Sequence, residues 1–363
     1  MPDRYVMRVL LIPASVFLSV IFGGSYGSGR EVMEFISQYG PVGGLISVLV
    51  TFLTYWVILF LSFEIARLFR AYEYHAFTQR LLGRLWWLYE VVILVGLVIA
   101  LAVVGTVAGA VTHDTFGVPA WSGTVLLLVV VIALTYFGRE LIERSMMLSI
   151  SALFLILIAM LYFVFAGSET DIGSAFAIHA VTYEGWKGAL TYAVVGTGFL
   201  PLLLYCARGL RTRAECLVAS GVAGLAAVIP ALAFHLIFMT EFPGIKEQAL
   251  PTYYLFEKVS PAWALNLYIV ILFVLICQTG VGVLQGFIER LDAWRESRFG
   301  APMTPIGHGL TAGFMVLASL LLGGMGVVAL ILRGYTLLSI CFVVVFTVPL
   351  LTRGLWLVAR DKT

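Results

Sequence analysis

Apolar residues run in long stretches along this chain, each closed by a charged cluster or by glycine and proline. Ten stretches are long enough for a helix to cross a bilayer, at about 8–38, 43–67, 85–111, 121–138, 147–166, 186–206, 214–240, 262–288, 307–323 and 335–357. The hydrocarbon core is roughly 30 Å thick and a helix rises about 1.5 Å per residue, so each crossing takes about 20 residues. A membrane barrel would show short alternating segments instead. The pattern predicts an all-α polytopic membrane protein of about ten transmembrane helices.

Charge placement supports that count. Of the 22 lysines and arginines, 17 fall in the two termini and in the segments 67–84, 139–145, 207–213 and 289–305. Lys187, Lys246, Lys258 and Arg333 lie in the alternate loops, and Arg30 lies within the first span. By the positive-inside rule this places both termini in the cytoplasm, in a multi-pass protein of the plasma (inner) membrane. The polar stretch 167–185 then divides the spans into five and five. The expected layout is a first repeat over 1–166, an external linker over 167–185 and a second repeat over 186–363, within one integral membrane domain. An odd number of helices per half forces the halves into opposite orientation, so the repeat is inverted.

Composition agrees and narrows the function classes. With 61% apolar and 12% charged residues and a mean hydropathy of +1.03, the chain has too little polar surface for water. The lipid bilayer is the first partner expected. A net charge of +2 without a basic face argues against nucleic acid. The four cysteines and five histidines show no ligand spacing, so no metal site or disulfide is expected. No HExxH, His/Asp cluster or catalytic serine signature is present, so an enzyme is not expected. The sequence does not specify an oligomeric state.

Two spans carry interruptions at corresponding places. The first contains Phe22-Gly23-Gly24-Ser25-Tyr26-Gly27-Ser28-Gly29-Arg30-Glu31, four glycines and two charges at a depth where lipid-facing helices carry neither. Glycine favours unwinding, and freed backbone groups at that depth must face protein or a water-filled cavity. A glycine face for close helix packing, as at Gly105/Gly109 and Ser220/Gly224, explains the glycines but not Arg30 and Glu31. The sixth span carries Thr191-Tyr192-Ala193-Val194-Val195-Gly196-Thr197-Gly198-Phe199-Leu200-Pro201. Its glycines and proline predict a second break that frees a carbonyl around Thr197, with an ordinary kinked helix as the alternative. Helices 1 and 6 are thus the candidate broken helices, and Gly24, Ser25, Tyr26, Gly27, Gly29, Arg30, Glu31, Tyr192, Gly196, Thr197 and Gly198 are the candidate substrate residues.

The run from Gly23 to Gly44, with Gly27-Ser28-Gly29-Arg30-Glu31 leading to Met33-Glu34-Phe35 and then Gly40 and Gly43-Gly44, resembles the first helix and turn of LeuT-fold permeases. These belong to the amino acid-polyamine-organocation superfamily, and the bacterial YkvI-like branch is the nearest in pattern. The motif covers about 25 residues, while the five-plus-five layout covers the whole chain. Glu64 sits where many such permeases keep an acid. The resemblance implies a secondary transporter that moves a small amino acid, related zwitterion or organic solute by alternating access, without any cofactor beyond a sodium ion. A neutral or quaternary ammonium solute fits Tyr26, Tyr192 and Phe199 as well. A channel or a transporter-like sensor stands as the alternative.

Carried over by position, the sodium site of such symporters maps to the carbonyls of Gly23 and Tyr26 and the hydroxyl of Thr279. The sequence departs from that pattern, because Cys277-Gln278-Thr279-Gly280 supplies one hydroxyl where two adjacent ones are expected. Proton coupling through Glu31, or no coupling, therefore stays open. Arg30 stands where the similar branch has a neutral polar residue. It is expected either to form a salt bridge with Glu31, Glu34 or Glu64, or to clamp a substrate carboxylate bidentately. Glu90 is expected to meet Arg84, and His235 to be a hydrogen-bonded bundle residue. The segment 241–261 is long for a bundle connection. By resemblance it caps the outer vestibule; by its own tyrosines and Phe256 it is an interfacial helix.

Overall fold

A computed structural model describes residues 5–137, 154–165, 176 and 182–360. Every described element is helical, and the apolar stretches fold as helices where the hydropathy places them. The first span is α1 (Val6–Ile21), α2 (Gly24–Gly27) and α3 (Arg30–Phe35); the second is α4 (Gly40–Phe69). The third and fourth are α6 (Trp86–Phe116) and α7 (Ala120–Phe137), and the described part of the fifth is α8 (Phe154–Phe165). The sixth is α9 (Gly185–Gly198) followed by a 3-10 segment (Leu200–Gly209), and the seventh is α10 (Arg213–Phe238). The last three are α12 (Ala262–Phe299), α13 (Pro305–Gly323) and α14 (Val327–Arg360). Among the described residues, six helices are long and apolar enough to cross a bilayer, and α9 with its 3-10 continuation makes a seventh, bent span. The chain is a multi-pass α-helical membrane protein.

Two connecting segments also carry helices, the first expected as a loop and the second expected as a vestibule cap or an interfacial helix. Within 67–84 lies α5 (Tyr74–Leu82), which buries Phe77, Thr78 and Leu81, and within 241–261 lies α11 (Pro251–Val259). The linker 167–185 lies outside the described residues except for Phe176 and 182–185.

The spans pack in two groups. One consists of α1, α4, α9 and α10; the other consists of α6, α7, α12 and α13. In lipid there is little hydrophobic drive between helices, so small residues that admit close van der Waals contact carry the packing. In the first group Gly221 and Gly224 of α10 lie against Trp56 and Tyr55 of α4, and Trp56 donates its indole N–H to the Leu217 carbonyl at 3.1 Å. In the second, Thr124 of α7 donates to the Gly105 carbonyl of α6 at 2.8 Å. A Cβ on Gly109 would stand 2.5 Å from the Ala120 carbonyl oxygen. The outward surface is apolar in turn, as in the exposed stripe Leu49, Leu53 and Val57 along α4.

Candidate functional site

The first span breaks twice, where the sequence suggested one interruption. Phe22 leaves helical geometry with φ −89° and ψ 80°, so Phe22 and Gly23 separate α1 from α2. Gly29 then adopts φ +77° and caps α3. An L side chain there would be strained, and its Cβ would lie 2.6 Å from the Phe238 ring and closer still to the Thr252 hydroxyl. Glycine is required at this point because the chain turns back under α11.

The sixth span bends by 66° between α9 and the 3-10 segment, the expected break rather than a mild kink. The freed carbonyl is that of Gly198, not Thr197, and Tyr89 of α6 satisfies it by donating its hydroxyl at 2.9 Å. Thr197 bonds back within its own helix, to the Ala193 carbonyl at 2.7 Å.

Between the two breaks lies a cavity of about 430 Å³. Its polar lining comprises Ser19, Glu31, Tyr192, Tyr205, Gln278, Thr279 and Tyr335; Gly23 and Gly196 bring the two broken backbones to its wall. The remainder is apolar, chiefly valine and leucine side chains with Phe22 and Phe199. Glu31 is buried at 4% exposure and accepts a hydrogen bond from the Tyr335 hydroxyl at 2.6 Å. It sits in the first turn of α3, where the unpaired N–H groups favour a carboxylate.

Three rings stack beside the cavity. Phe35 lies between Tyr192 and Tyr335, with centroids 5.9 and 5.7 Å away and interplanar angles of 20° and 7°. Beyond this stack Arg30 pairs with Glu34 and donates to the carbonyls of Lys246 and Gln248, each at 2.9 Å. The Thr252 N–H adds a bond to the Ser28 carbonyl at 3.2 Å, so the 241–261 segment is fastened to the first span. Tyr253 and Phe256 are buried, Phe256 stacked on Tyr268 and the Tyr253 hydroxyl beside the Asp114 carbonyl, rather than exposed as interfacial anchors. Tyr253's phenol is raised by burial, and Lys258 is raised above the usual lysine range by its hydrogen bond to Glu241. In the opposite direction the lining continues past Leu202 and Leu203 to the half-exposed Tyr205, toward the end bearing Arg8 and Arg208.

The cavity thus unites Glu31, Tyr192 and Gly196 of the predicted substrate residues with Gly23 and Thr279 of the predicted ion residues. Tyr26, Gly27, Gly29, Arg30, Thr197 and Gly198 stand off the lining. Tyr26 packs on Phe22 and Phe234, and the Gly27 carbonyl accepts from Tyr268 at 3.2 Å. Gly24 and Ser25 belong to the backbone of α2. Gly23 does abut Thr279: a Cβ on it would stand 3.3 Å from the threonine Oγ1. The carbonyls of Gly23 and Tyr26 already accept backbone N–H groups from Gly27 and Gly29, and Thr279 donates to Leu275 at 2.9 Å.

Other expectations resolve by distance in the chain. Glu64 pairs with Arg67 at 2.8 Å. Glu90 pairs with Arg290 of α12 at 3.3 Å rather than with Arg84. His235 bridges Ser37 and the Pro41 carbonyl at 3.1 and 2.9 Å, a bundle contact of α10 with the first two spans. Among the described residues no group of three metal-ligating side chains occurs. Tyr335 was missed by sequence reasoning, since a lone tyrosine near the start of the last span gives no signal of a partner in the first.

No protein-family model matches the chain, and no curated protein matches it. Solved structures do. MhsT in complex with L-phenylalanine superposes with a TM-score of 0.62 at 16% identity, covering 97% of this chain and 87% of that one. Mhp1 in its inward-facing conformation gives 0.59 at 12% identity, covering 96% and 78%. A sodium-coupled sialic acid symporter, substrate-bound and outward-open, gives 0.60 at 11% identity, covering 94% and 79%. All three are LeuT-fold transporters, and this chain, with its two broken spans facing each other across a cavity, has their fold.

Proposed function

We propose that the chain is a secondary transporter that carries a small amino acid, related zwitterion or other small organic solute across the membrane by alternating access. One observation carries the reading: the cavity lies where the breaks of the first and sixth spans meet, with Gly23 and Gly196 in its wall. A helix interruption at membrane depth is tolerated where it lines such a cavity. The neighbours in fold support it, being a protein bound to L-phenylalanine and a sodium-coupled symporter among others. Kinship with the YkvI-like branch rests on the Gly23–Gly44 motif.

The two packed groups support the inverted repeat of 1–166 and 186–363. Spans 1 and 2 pack with 6 and 7, and spans 3 and 4 with 8 and 9, so corresponding helices of the two halves go to corresponding groups. With the basic side in the cytoplasm, the Tyr192–Phe35–Tyr335 stack faces outward and the cavity faces inward. Coupling through sodium would use Gly23 and Thr279; coupling through a proton would use Glu31.

The purified chain in liposomes tests this. Radiolabelled amino acids and amines should accumulate against their gradients when a sodium or pH gradient is imposed, and collapse of that gradient should release them. Equilibration without accumulation would favour a channel, and no flux at all would favour a sensor. If sodium drives uptake, Thr279→Ala should weaken its effect; if the unmutated protein ignores sodium, the sodium site falls.

A further inference from the structure

The segment 64–84, which runs from the end of α4 through α5 to the start of α6, holds four arginines and two glutamates. Both acids are engaged. Glu64 pairs with Arg67 at 2.8 Å, and Glu73 pairs with Arg208 of the 3-10 arm of the sixth span at 3.8 Å. Among the described residues Arg70, Arg80 and Arg84 are left without an acidic partner.

Two of these three arginines share a crevice. It lies between the end of α4 and α5, has a volume of about 400 Å³, and is lined by Phe69, Arg70, Ala71, Ala76, Gln79 and Arg80. The Arg80 guanidinium sits 5.0 Å from the centroid of the Phe69 ring, a contact that orients the group through its face and leaves its N–H donors free. Arg70 ends α4 in the left-handed conformation, with φ +51°, and is the non-glycine residue so placed among the described residues. Glycine would take that position at less cost, so the arginine stands there against the preference of the backbone. Ala76 belongs to the first turn of α5, whose N-cap Glu73 makes no side-chain hydrogen bond, and it brings the positive end of that helix to the same wall. No acid lines the crevice among the described residues. Like charges gathered without an anion repel, and an anion between them removes the repulsion.

We infer that this crevice binds an anionic phosphate group, which accepts hydrogen bonds from the guanidinium groups of Arg70 and Arg80. A guanidinium fork matches a pair of phosphate oxygens, and a phosphate carries enough free oxygens to meet two forks at once. The crevice opens where the second span ends, the level at which lipid headgroups lie, and Leu85 and Trp87 at the start of the next span are exposed beside it in sequence. A phospholipid headgroup and a free phosphate present the same chemistry there. The α5 helix packs on α6 of one group of spans and on the 3-10 arm of the sixth span in the other, so a ligand that fixes α5 against α4 bears on both groups. The assignment is independent of what the central cavity carries.

Three probes test it on the purified full chain in detergent: dioctanoyl phosphatidylglycerol, dioctanoyl phosphatidylcholine, and sodium phosphate against sodium chloride of equal ionic strength. The readouts are the melting temperature, which a ligand of the folded state raises by mass action, and lipid retention in native mass spectrometry. Phosphatidylglycerol, sodium phosphate or both should raise the melting temperature, and phosphatidylcholine, whose phosphate is neutralised by its own ammonium, should do so less. Arg70→Gly and Arg80→Gln should each weaken the response about tenfold, the loss of charge-assisted hydrogen bonds. Arg70→Gly relieves the left-handed backbone, so it should fold at least as well as the unmutated chain while losing the ligand. Arg298→Gln, at an exposed arginine elsewhere, should leave the response intact. An arginine-dependent response to sodium phosphate equal to that of the lipid assigns the site to free phosphate, and a response to phosphatidylglycerol alone assigns it to a lipid headgroup. The inference is overturned if neither anionic probe has an effect, if phosphatidylcholine matches phosphatidylglycerol, if the response survives both Arg70→Gly and Arg80→Gln, or if Arg298→Gln weakens it equally.

Discussion

Tyr335 of the last span donates its hydroxyl hydrogen to Glu31, just past the break of the first, at 2.6 Å across 304 positions of sequence. The bond ties α3 of the broken first span to a span that packs on both α6 and α9.

Tyr335→Phe removes that donor and keeps the ring stacked on Phe35. A hydrogen bond to a buried charged group contributes about 1.5–3 kcal/mol, so the variant should melt several degrees lower without loss of helix content. An unchanged melting temperature would show that Glu31 is held by other means.

Arg30→Gln should destabilise the protein by about 3–5 kcal/mol, because it leaves Glu34 buried without its cation and two loop carbonyls without donors. Arg30→Gln with Glu34→Gln should recover part of that loss, giving a coupling energy of more than about 1 kcal/mol in the double-mutant cycle. All solutes should be affected alike. Selective loss of carboxylate solutes at an unchanged melting temperature would make Arg30 a substrate clamp instead.

Gly29→Ala and Gly117→Ala separate backbone strain from collision. Both glycines have positive φ, +77° and +68°, and each substitution carries the left-handed backbone penalty of about 1–2 kcal/mol. Nothing lies within 4 Å of a Cβ on Gly117, whereas one on Gly29 meets Phe238 and Thr252. Gly29→Ala should therefore lose clearly more stability in thermal melts; equal losses would mean that α11 yields without resistance.

Single cysteines placed at Glu247 and Ser297 report orientation. Both sites are exposed, and Cys206, Cys216 and Cys277 are buried, so only Cys341 needs replacing beforehand. From outside intact cells an impermeant thiol reagent should modify Glu247→Cys and spare Ser297→Cys. The reverse pattern would invert the protein in the membrane and turn the cavity outward.

Hydropathy made the membrane helices legible, because in lipid a crossing must be apolar over its whole length and charge gathers at its ends. The two breaks were legible for a related reason, since glycine, proline and charge have little other use at that depth. Partnerships were not. Arg30 had three candidate acids, and only the helical turn of α3 sets Glu34 above it at the i,i+4 spacing. Glu90 had a basic neighbour six residues away, yet α6 runs beside α12 and delivers Arg290. Tyr335 carries no mark in its own neighbourhood of sequence, because what gives it a role is the acid it reaches.

The three stacked rings come from three different spans, so a shift of one span against the others separates a ring pair. Each ring contact contributes only about 0.5–1.5 kcal/mol beyond the area it buries, and a stack sheared by half a ring width loses most of that at once. Holding Tyr192, Phe35 and Tyr335 together is accordingly worth only about 1–3 kcal/mol beyond packing. Because Tyr192 and Tyr335 also form the wall of the cavity, any molecule lodged against them would bear on both ring contacts, whose energy is a small fraction of a micromolar binding energy.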